Sequence, residues 1–162
     1  MALWNLSWKP MPRTHTHPNL DAFLDMIAVS EGTAGKGDDG YNVIVGGALF
    51  NTYADHPRQL VKIRSGLSST AAGRYQLLAR YFDAYKKELG LPDFSPEAQD
   101  QIALQQIKEC KAIGLIEQGA FEQAVARCAH IWASLPGAGY GQHENPIHKL
   151  IAAYQAAGGE LA

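Results

Sequence analysis

The feature that most constrains this chain is an abrupt change of texture at Glu31 and Gly32. Before it, Leu20, Phe23, Leu24 and Ile27 recur at i, i+3, i+4 and i+7, the apolar stripe of an amphipathic helix. After it, four glycines fall in the nine residues from Gly32 to Gly40, a density that marks a loop. Asn19, following Pro18, reads as the helix N-cap, and Asp21 sits in the first turn, where the helix dipole favours negative charge. Gly32 is the expected stop. Glu31 lies eleven positions after Leu20, and eleven steps of about 100° are close to three full turns. Its carboxylate therefore falls near the apolar face, at the C-terminal end of the helix. Desolvation and the negative end of the dipole both raise a carboxyl pKa. A carboxyl group that stays protonated near neutral pH is what general-acid cleavage of a glycosidic bond requires. A solvated glutamate at a helix end is the plain alternative, and this stretch by itself leaves both open.

The rest of the chain reads as one small sheet followed by helices. Tyr41 to Val45 has strand composition, Gly46-Gly47 is a turn, and Ala48-Leu49-Phe50 is expected to return as the second arm of a hairpin. Leu60 to Ile63 is a further short strand, and Ser65 to Gly73 a loop. A helix follows, with Leu78, Tyr81, Phe82, Tyr85 and Leu89 as its buried face and Gly90 as its end. Ser95-Pro96-Glu97 is a helix start, and that helix runs to about Cys110. A short segment surrounds Leu115. Phe121, Val125, Cys128 and Trp132 mark the next stripe. Leu135 to Gln142 is a glycine-rich loop, and a last helix starts near Pro146, packs Ile147, Leu150, Ile151 and Tyr154, and ends at Gly158. Five or six helices around a small antiparallel lobe make an α+β layout, with a cleft expected between the two lobes.

The 162 residues suit one domain or two small lobes. Residues 1–19, interrupted by prolines, read as a poorly ordered extension, with the domain over 20–162. Trp4 and Trp8 stand four apart in it, and His15 and His17 are taken as incidental. The extension has no basic start or sustained apolar core of a signal peptide, and no apolar run is long enough for a transmembrane helix. The net charge of −2 gives no electrostatic reason for nucleic acid or an anionic membrane as partner. Cys110 and Cys128 fall in apolar, helix-like surroundings. Two buried thiols is the plain reading, and a disulfide requires those helices to pack together.

No cofactor or metal site is expected. His143-Glu144-Asn145-Pro146-Ile147-His148 has the look of a zinc protease motif, but the second histidine comes one position too late for i, i+4 ligation and Pro146 interrupts the helix. The carboxylates say more. A hydrolytic glycosidase needs two, and Asp38 and Asp39 lie in the glycine-rich loop after Glu31. Gln76 and Tyr140 sit in glycine-flanked segments of the kind that suit a saccharide cleft, with a helix start and a packed loop aromatic as their alternatives.

Several segments together resemble the lambda-type phage endolysins. They are Phe23-Leu24-Asp25-Met26, Ser30-Glu31-Gly32-Thr33, Tyr41 to Gly47, Ser69 to Leu78, Ala103 to Lys108 and Ile131 to Gln142, in register over roughly 20–159. The resemblance implies a lysozyme-like α+β fold and a peptidoglycan lytic transglycosylase. Such an enzyme cleaves the bond between N-acetylmuramic acid and N-acetylglucosamine without adding water, leaving a 1,6-anhydro ring. It implies Glu31 as the catalytic acid and then base, and Tyr41, Ser69, Arg74, Tyr75, Gln76 and Tyr140 as saccharide contacts. It also implies a monomer that acts on glycan strands of the wall, held in the host cytoplasm until a separate holin-type pore releases it. This chain departs from the family in a shorter loop after Glu31 and in Asn42, where the family has aspartate. Two other readings stand beside it: a hydrolysing lysozyme that uses Glu31 with Asp38 or Asp39, and a non-catalytic peptidoglycan-binding module.

Overall fold

The computed structural model describes residues 17–162. Trp4, Trp8, His15 and most of the expected extension lie outside the described residues. The element order is α1 (Pro18–Glu31), β1 (Val61–Arg64), β2 (Leu67–Ser69), α2 (Ala79–Leu89), α3 (Pro96–Glu109), α4 (Ile113–Glu117), α5 (Phe121–Cys128) and α6 (Ile147–Ala156). The chain forms two units, one holding residues 33–102 and the other residues 17–32 with 103–162. The first half of α3 belongs to the former and its second half to the latter.

The first unit contains the sheet. β1 and β2 pair antiparallel, with Val61 opposite Ser69 and Lys62 opposite Ser68, and an irregularity before Arg64 meets Leu67. The hairpin expected over Tyr41–Phe50 is present only as an isolated bridge from Val43 to Leu49, and Ile44 bridges instead to Ala72. Ile44 N donates to Ala48 O at 2.7 Å and Gly47 N to Ile44 O at 2.8 Å, so the turn is real but too short to grow a ladder. The second strand of the true hairpin falls instead in Leu67–Ser69, which was expected to be loop. Its serines carry little strand signal. The core gathers Ala72, Leu77, Phe82, Leu91, Phe94, Ala98 and Ile102. His56 is buried beside Phe94, with ring centroids 4.9 Å apart. Its Nδ1 accepts from Arg58 N at 2.9 Å, so its Nε2 carries the proton given to Leu77 O at 2.8 Å. That neutral tautomer agrees with a pKa that burial holds below the usual histidine value. Tyr81 is not on the buried face of α2 as expected; it is exposed, and Phe82 alone in that helix is fully buried.

The second unit is helical. Its core draws Phe23, Leu24 and Ile27 from α1, Phe121 and Val125 from α5, and Leu150 and Tyr154 from α6. The Phe23 and Phe121 rings meet edge-on at 5.8 Å, and Phe121 lies 4.5 Å from Tyr154. Gly159 fits against Tyr154, since a Cβ there would collide with the ring. Cys110 and Cys128 are free, buried thiols that hydrogen-bond to each other.

The start of α1 differs from expectation. The N-cap is His17, not Asn19: its Nδ1 accepts from Asn19 N at 3.1 Å, and Pro18 opens the first turn. Asn19 is buried and ties three segments together. Its Nδ2 donates to Ile116 O at 3.0 Å and Glu160 O at 3.4 Å, and its Oδ1 accepts from Glu160 N at 3.0 Å. Removing it strands buried polar groups, each worth about 1–3 kcal/mol. Asn19→Ala should therefore cost about 2–3 kcal/mol in urea unfolding. A cost under about 0.5 kcal/mol, the range of neutral surface changes, would show that this tie is not made in solution.

Candidate active site

Glu31 closes α1. Gly32 follows with φ of 77°, left-handed, and its N–H returns to Ala28 O and Val29 O. The side chain keeps some surface, but its carboxyl is taken out of water. That burial pushes the pKa from 4.5 to about 7, and a hydrogen bond from Ser134 partly offsets it. Of the two causes expected from the sequence, desolvation is the one found here. No charged partner contributes to the shift.

Glu31 and its neighbours belong to the second unit. Ser30 Oγ and Ser134 Oγ are 2.8 Å apart. Asn145, buried, donates through Nδ2 to Ser30 O at 2.9 Å and to Ser30 Oγ at 3.1 Å. Its backbone N donates to Ser134 O at 2.8 Å. In the same unit Tyr140 is exposed, with its hydroxyl on His130 O at 2.9 Å. The loop that carries it is drawn together by Glu144, whose two carboxylate oxygens accept from Gly137 N at 2.9 Å and Gly139 N at 3.0 Å. These two N–H groups hold the Glu144 carboxyl below the usual range.

The first unit brings Tyr41, Arg74 and Tyr75 together, all buried. Both tyrosine hydroxyls donate to Asp100 Oδ1. The Arg74 guanidinium lies over the two rings, 5.3 Å from the Tyr41 centroid and 5.7 Å from that of Tyr75. Its Nε donates to Asp39 O at 2.9 Å and its Nη2 pairs with Asp39 Oδ2 at 3.3 Å. The polar atoms of these three expected saccharide contacts thus point into the unit, toward Asp100 and Asp39. Gln76 has φ of 53°, and its Nε2 donates to Gly73 O at 2.9 Å and Val43 O at 3.3 Å. Ser69 lies on β2 and accepts from Ala71 N at 3.1 Å. Asp38 and Asp39 are both engaged: Asp38 Oδ2 accepts from Tyr53 at 2.8 Å, and Asp39 Oδ1 from Gly35 N at 2.8 Å. Asn42 accepts from Asp38 N at 2.8 Å and donates to Phe50 O at 3.4 Å. An aspartate at that position has no proton for Phe50 at neutral pH. Among the described residues, no group of three His, Cys, Asp or Glu side chains is placed to hold a metal ion.

Comparison with known proteins decides the family. A sequence model described as Endolysin matches residues 21–161. The chain belongs to the endolysin family. As an endolysin it is an enzyme of lysozyme type that acts on the bacterial cell wall. The endolysin of Escherichia phage lambda is 58% identical over 144 residues, covering 86% of this chain and 91% of its own. That of Escherichia phage P2 is 49% identical over 162 residues, covering 92% and 98%. Two solved structures share the fold at 54% identity, each covering 92% of this chain and 99% of its own. They are the bacteriophage lambda lysozyme complexed with a chitohexasaccharide, at a TM-score of 0.89, and the lysozyme from bacteriophage lambda, at 0.85. The α+β lysozyme-like architecture read from the sequence is therefore this endolysin's fold.

Sequence reasoning missed the residues that surround Glu31. Ser134 falls within Ile131 to Gln142 with no local feature to mark it, and Asn145 within the His143 to His148 stretch. Their partners are 104 and 115 positions away, a separation no local spacing reveals.

The raised carboxyl has a consequence for stability. Between pH 4.5 and 7 the folded endolysin holds a proton on Glu31 that the unfolded chain releases. The stabilisation by that proton is full below about 4.5 and is lost as pH rises through about 7. Glu31→Gln cannot ionise, so it should be more stable than wild type at pH 8, by up to roughly 3 kcal/mol, and equal to it near pH 4. Urea unfolding at the two pH values measures this. A difference that does not change with pH would contradict the assigned burial.

Proposed function

We propose that this endolysin is a lytic transglycosylase that cuts the β-1,4 bond from N-acetylmuramic acid to N-acetylglucosamine, with Glu31 as its one catalytic carboxyl. The observation that carries this reading is a carboxyl raised to about 7 by burial and partnered by a hydroxyl rather than by a second acid. Near neutral pH such a group is partly protonated and able to work in both directions. It gives its proton to the leaving glycosidic oxygen as the C1–O bond breaks, toward an oxocarbenium-like centre. The resulting carboxylate then takes the proton of the muramic C6 hydroxyl as that oxygen bonds to C1. The 1,6-anhydro ring closes, the proton balance returns to its start, and no water enters.

The state of the other acids supports one carboxyl over two. Asp38 is held by Tyr53, and Asp39 by Arg74 and Gly35 N. A hydrolase using either would have to free it to hold a water or attack carbon. The lambda lysozyme was solved with a chitohexasaccharide, which supports an N-acetylated glycan strand as substrate here. Exposed Tyr140 suits stacking on a sugar ring, with Ser69 and Gln76 as further contacts. Tyr41, Arg74 and Tyr75 complete the set through the frame they build behind the glycine-rich loop. Family membership supports the wider setting: a monomer that waits in the host cytoplasm and reaches the wall through a separate holin-type pore. Among the described residues, no helix is long and apolar enough to cross a membrane. By the same reading, the catalytic domain begins with α1 at Pro18, two residues before the expected Leu20.

Mass spectrometry of digested peptidoglycan tests the reaction. The fragments should sum to the mass of the substrate, with anhydro-muramic ends. Products heavier by one water, together with loss of activity in Asp38→Asn or Asp39→Asn, would make the enzyme a hydrolase. Glu31→Gln should fold, still bind glycan, and lose at least 10² to about 10⁴ in rate. A fully inert wild type that binds glycan would make the chain a binding module.

A further inference from the structure

Three polar side chains that this chemistry does not use meet beside Glu31 from distant parts of the sequence. Asn145 stands just before α6, Ser30 in the last turn of α1, and Ser134 after α5. The carbonyl of Ser30 is one of those that a helix end leaves without an intrahelical donor. Asn145 Nδ2 supplies one at 2.9 Å, so it caps α1 from outside the helix, and it also donates to Ser30 Oγ at 3.1 Å. Ser30 Oγ touches Ser134 Oγ at 2.8 Å, and the Ser134 hydroxyl touches the Glu31 carboxyl.

Asn145 fixes the donor at the far end of this chain. An amide NH2 only donates, and each hydroxyl owns one proton. Ser30 Oγ accepts from Asn145, which leaves its own proton available to Ser134. Ser134 then has its proton left for Glu31. The opposite order would have Ser134 donate to Ser30, withdraw its proton from the carboxylate, and leave the Ser30 hydroxyl without an acceptor among these groups.

We propose that Asn145, Ser30 and Ser134 form an oriented hydrogen-bond chain that fixes the Glu31 carboxyl in place and donates to the charge that appears when Glu31 gives up its proton. Ser134 is the positioning residue, and Asn145 and Ser30 set its direction. The inference rests on the reading of Glu31 as the acid and base. It adds what tunes that acid: burial resists ionisation and Ser134 favours it. A donor aimed at the forming carboxylate lowers the cost of the first proton transfer.

The charged groups near this network do not replace that effect. Lys149 of α6 reaches Asn145 Oδ1 with its Nζ at 3.4 Å. Glu144 is bound to Gly137 and Gly139 N–H. His148 of α6 and Glu117 of α4 are exposed, and Asp21 and Asp25 on α1 are half-buried. None of them contributes to the shift at Glu31.

The test is the pH profile of kcat/KM on peptidoglycan, measured with the full chain. Wild type should lose activity on the alkaline side near pH 7, as Glu31 ionises. Ser134→Ala should move that alkaline limb up by about one pH unit and lower the maximal rate by roughly tenfold, the size of a hydrogen bond to a charged group. Ser134→Thr keeps the hydroxyl and should restore the wild-type limb. Ser30→Ala removes the middle of the chain and should shift the limb the same way by less. It carries the test if Ser134→Ala does not fold. A limb that stays in place in every folded serine-to-alanine variant, while Glu31→Gln is inactive, would overturn the proposal. Activity in Glu31→Gln would instead overturn the reading of Glu31 itself.

Discussion

Everything proposed for this endolysin depends on keeping one carboxyl group out of water without giving it a cation. Beside Arg58, an acid is held toward its charged form. Asp55 and Asp83 show this: both accept from Arg58 on the surface, and both are held below the usual carboxylate range. Glu31 has burial and a serine hydroxyl instead. Burial opposes charge, and the hydroxyl relieves only part of that cost. A cation in the place of Ser134 would take away the proton that the leaving oxygen needs.

The backbone around Glu31 follows from the same requirement. The apolar stripe of α1 anchors against Phe121, and Tyr154 continues the cluster, so the helix and the side chain at its end have a firm support. Gly32 turns the chain left-handed immediately afterwards, a conformation that side chains rarely adopt. The carbonyl that this leaves at Ser30 without an intrahelical donor is capped by Asn145, which draws the Ser134 backbone to the same point. Capping and electrostatics are thus handled by one amide. In the first unit, Arg74 plays a comparable part for the glycine-rich loop. It grips Asp39 while its guanidinium rests on two tyrosine rings, an arrangement that favours arginine over lysine.

Local pattern made much of this visible. The period of Leu20, Phe23, Leu24 and Ile27 located α1 and placed Glu31 on its buried side, because both follow from 3.6 residues per turn. Gly90 and Ser95-Pro96 marked helix ends for reasons equally local. The errors occurred where a tertiary partner decides. Asn19 is held by Ile116 and Glu160, and His17 caps α1 in its place because its imidazole nitrogen can stand in for the usual side-chain oxygen. Tyr41 to Val45 has strand composition but meets its partners only at isolated bridges, while Leu67–Ser69 becomes a strand because β1 lies beside it. The catalytic candidate was legible and its support was not. A glutamate at the end of an amphipathic helix announces its own burial, whereas Ser134 and Asn145 matter only through contacts across more than a hundred residues.

The central claim is that the fold keeps Glu31 protonated up to neutral pH, and the most direct measurement is the titration of that carboxyl carbon by 13C NMR in the full-length protein, assigned by its absence in Glu31→Gln. The account predicts a midpoint near 7. A midpoint near 4.5, the value of a carboxyl in water, would contradict it.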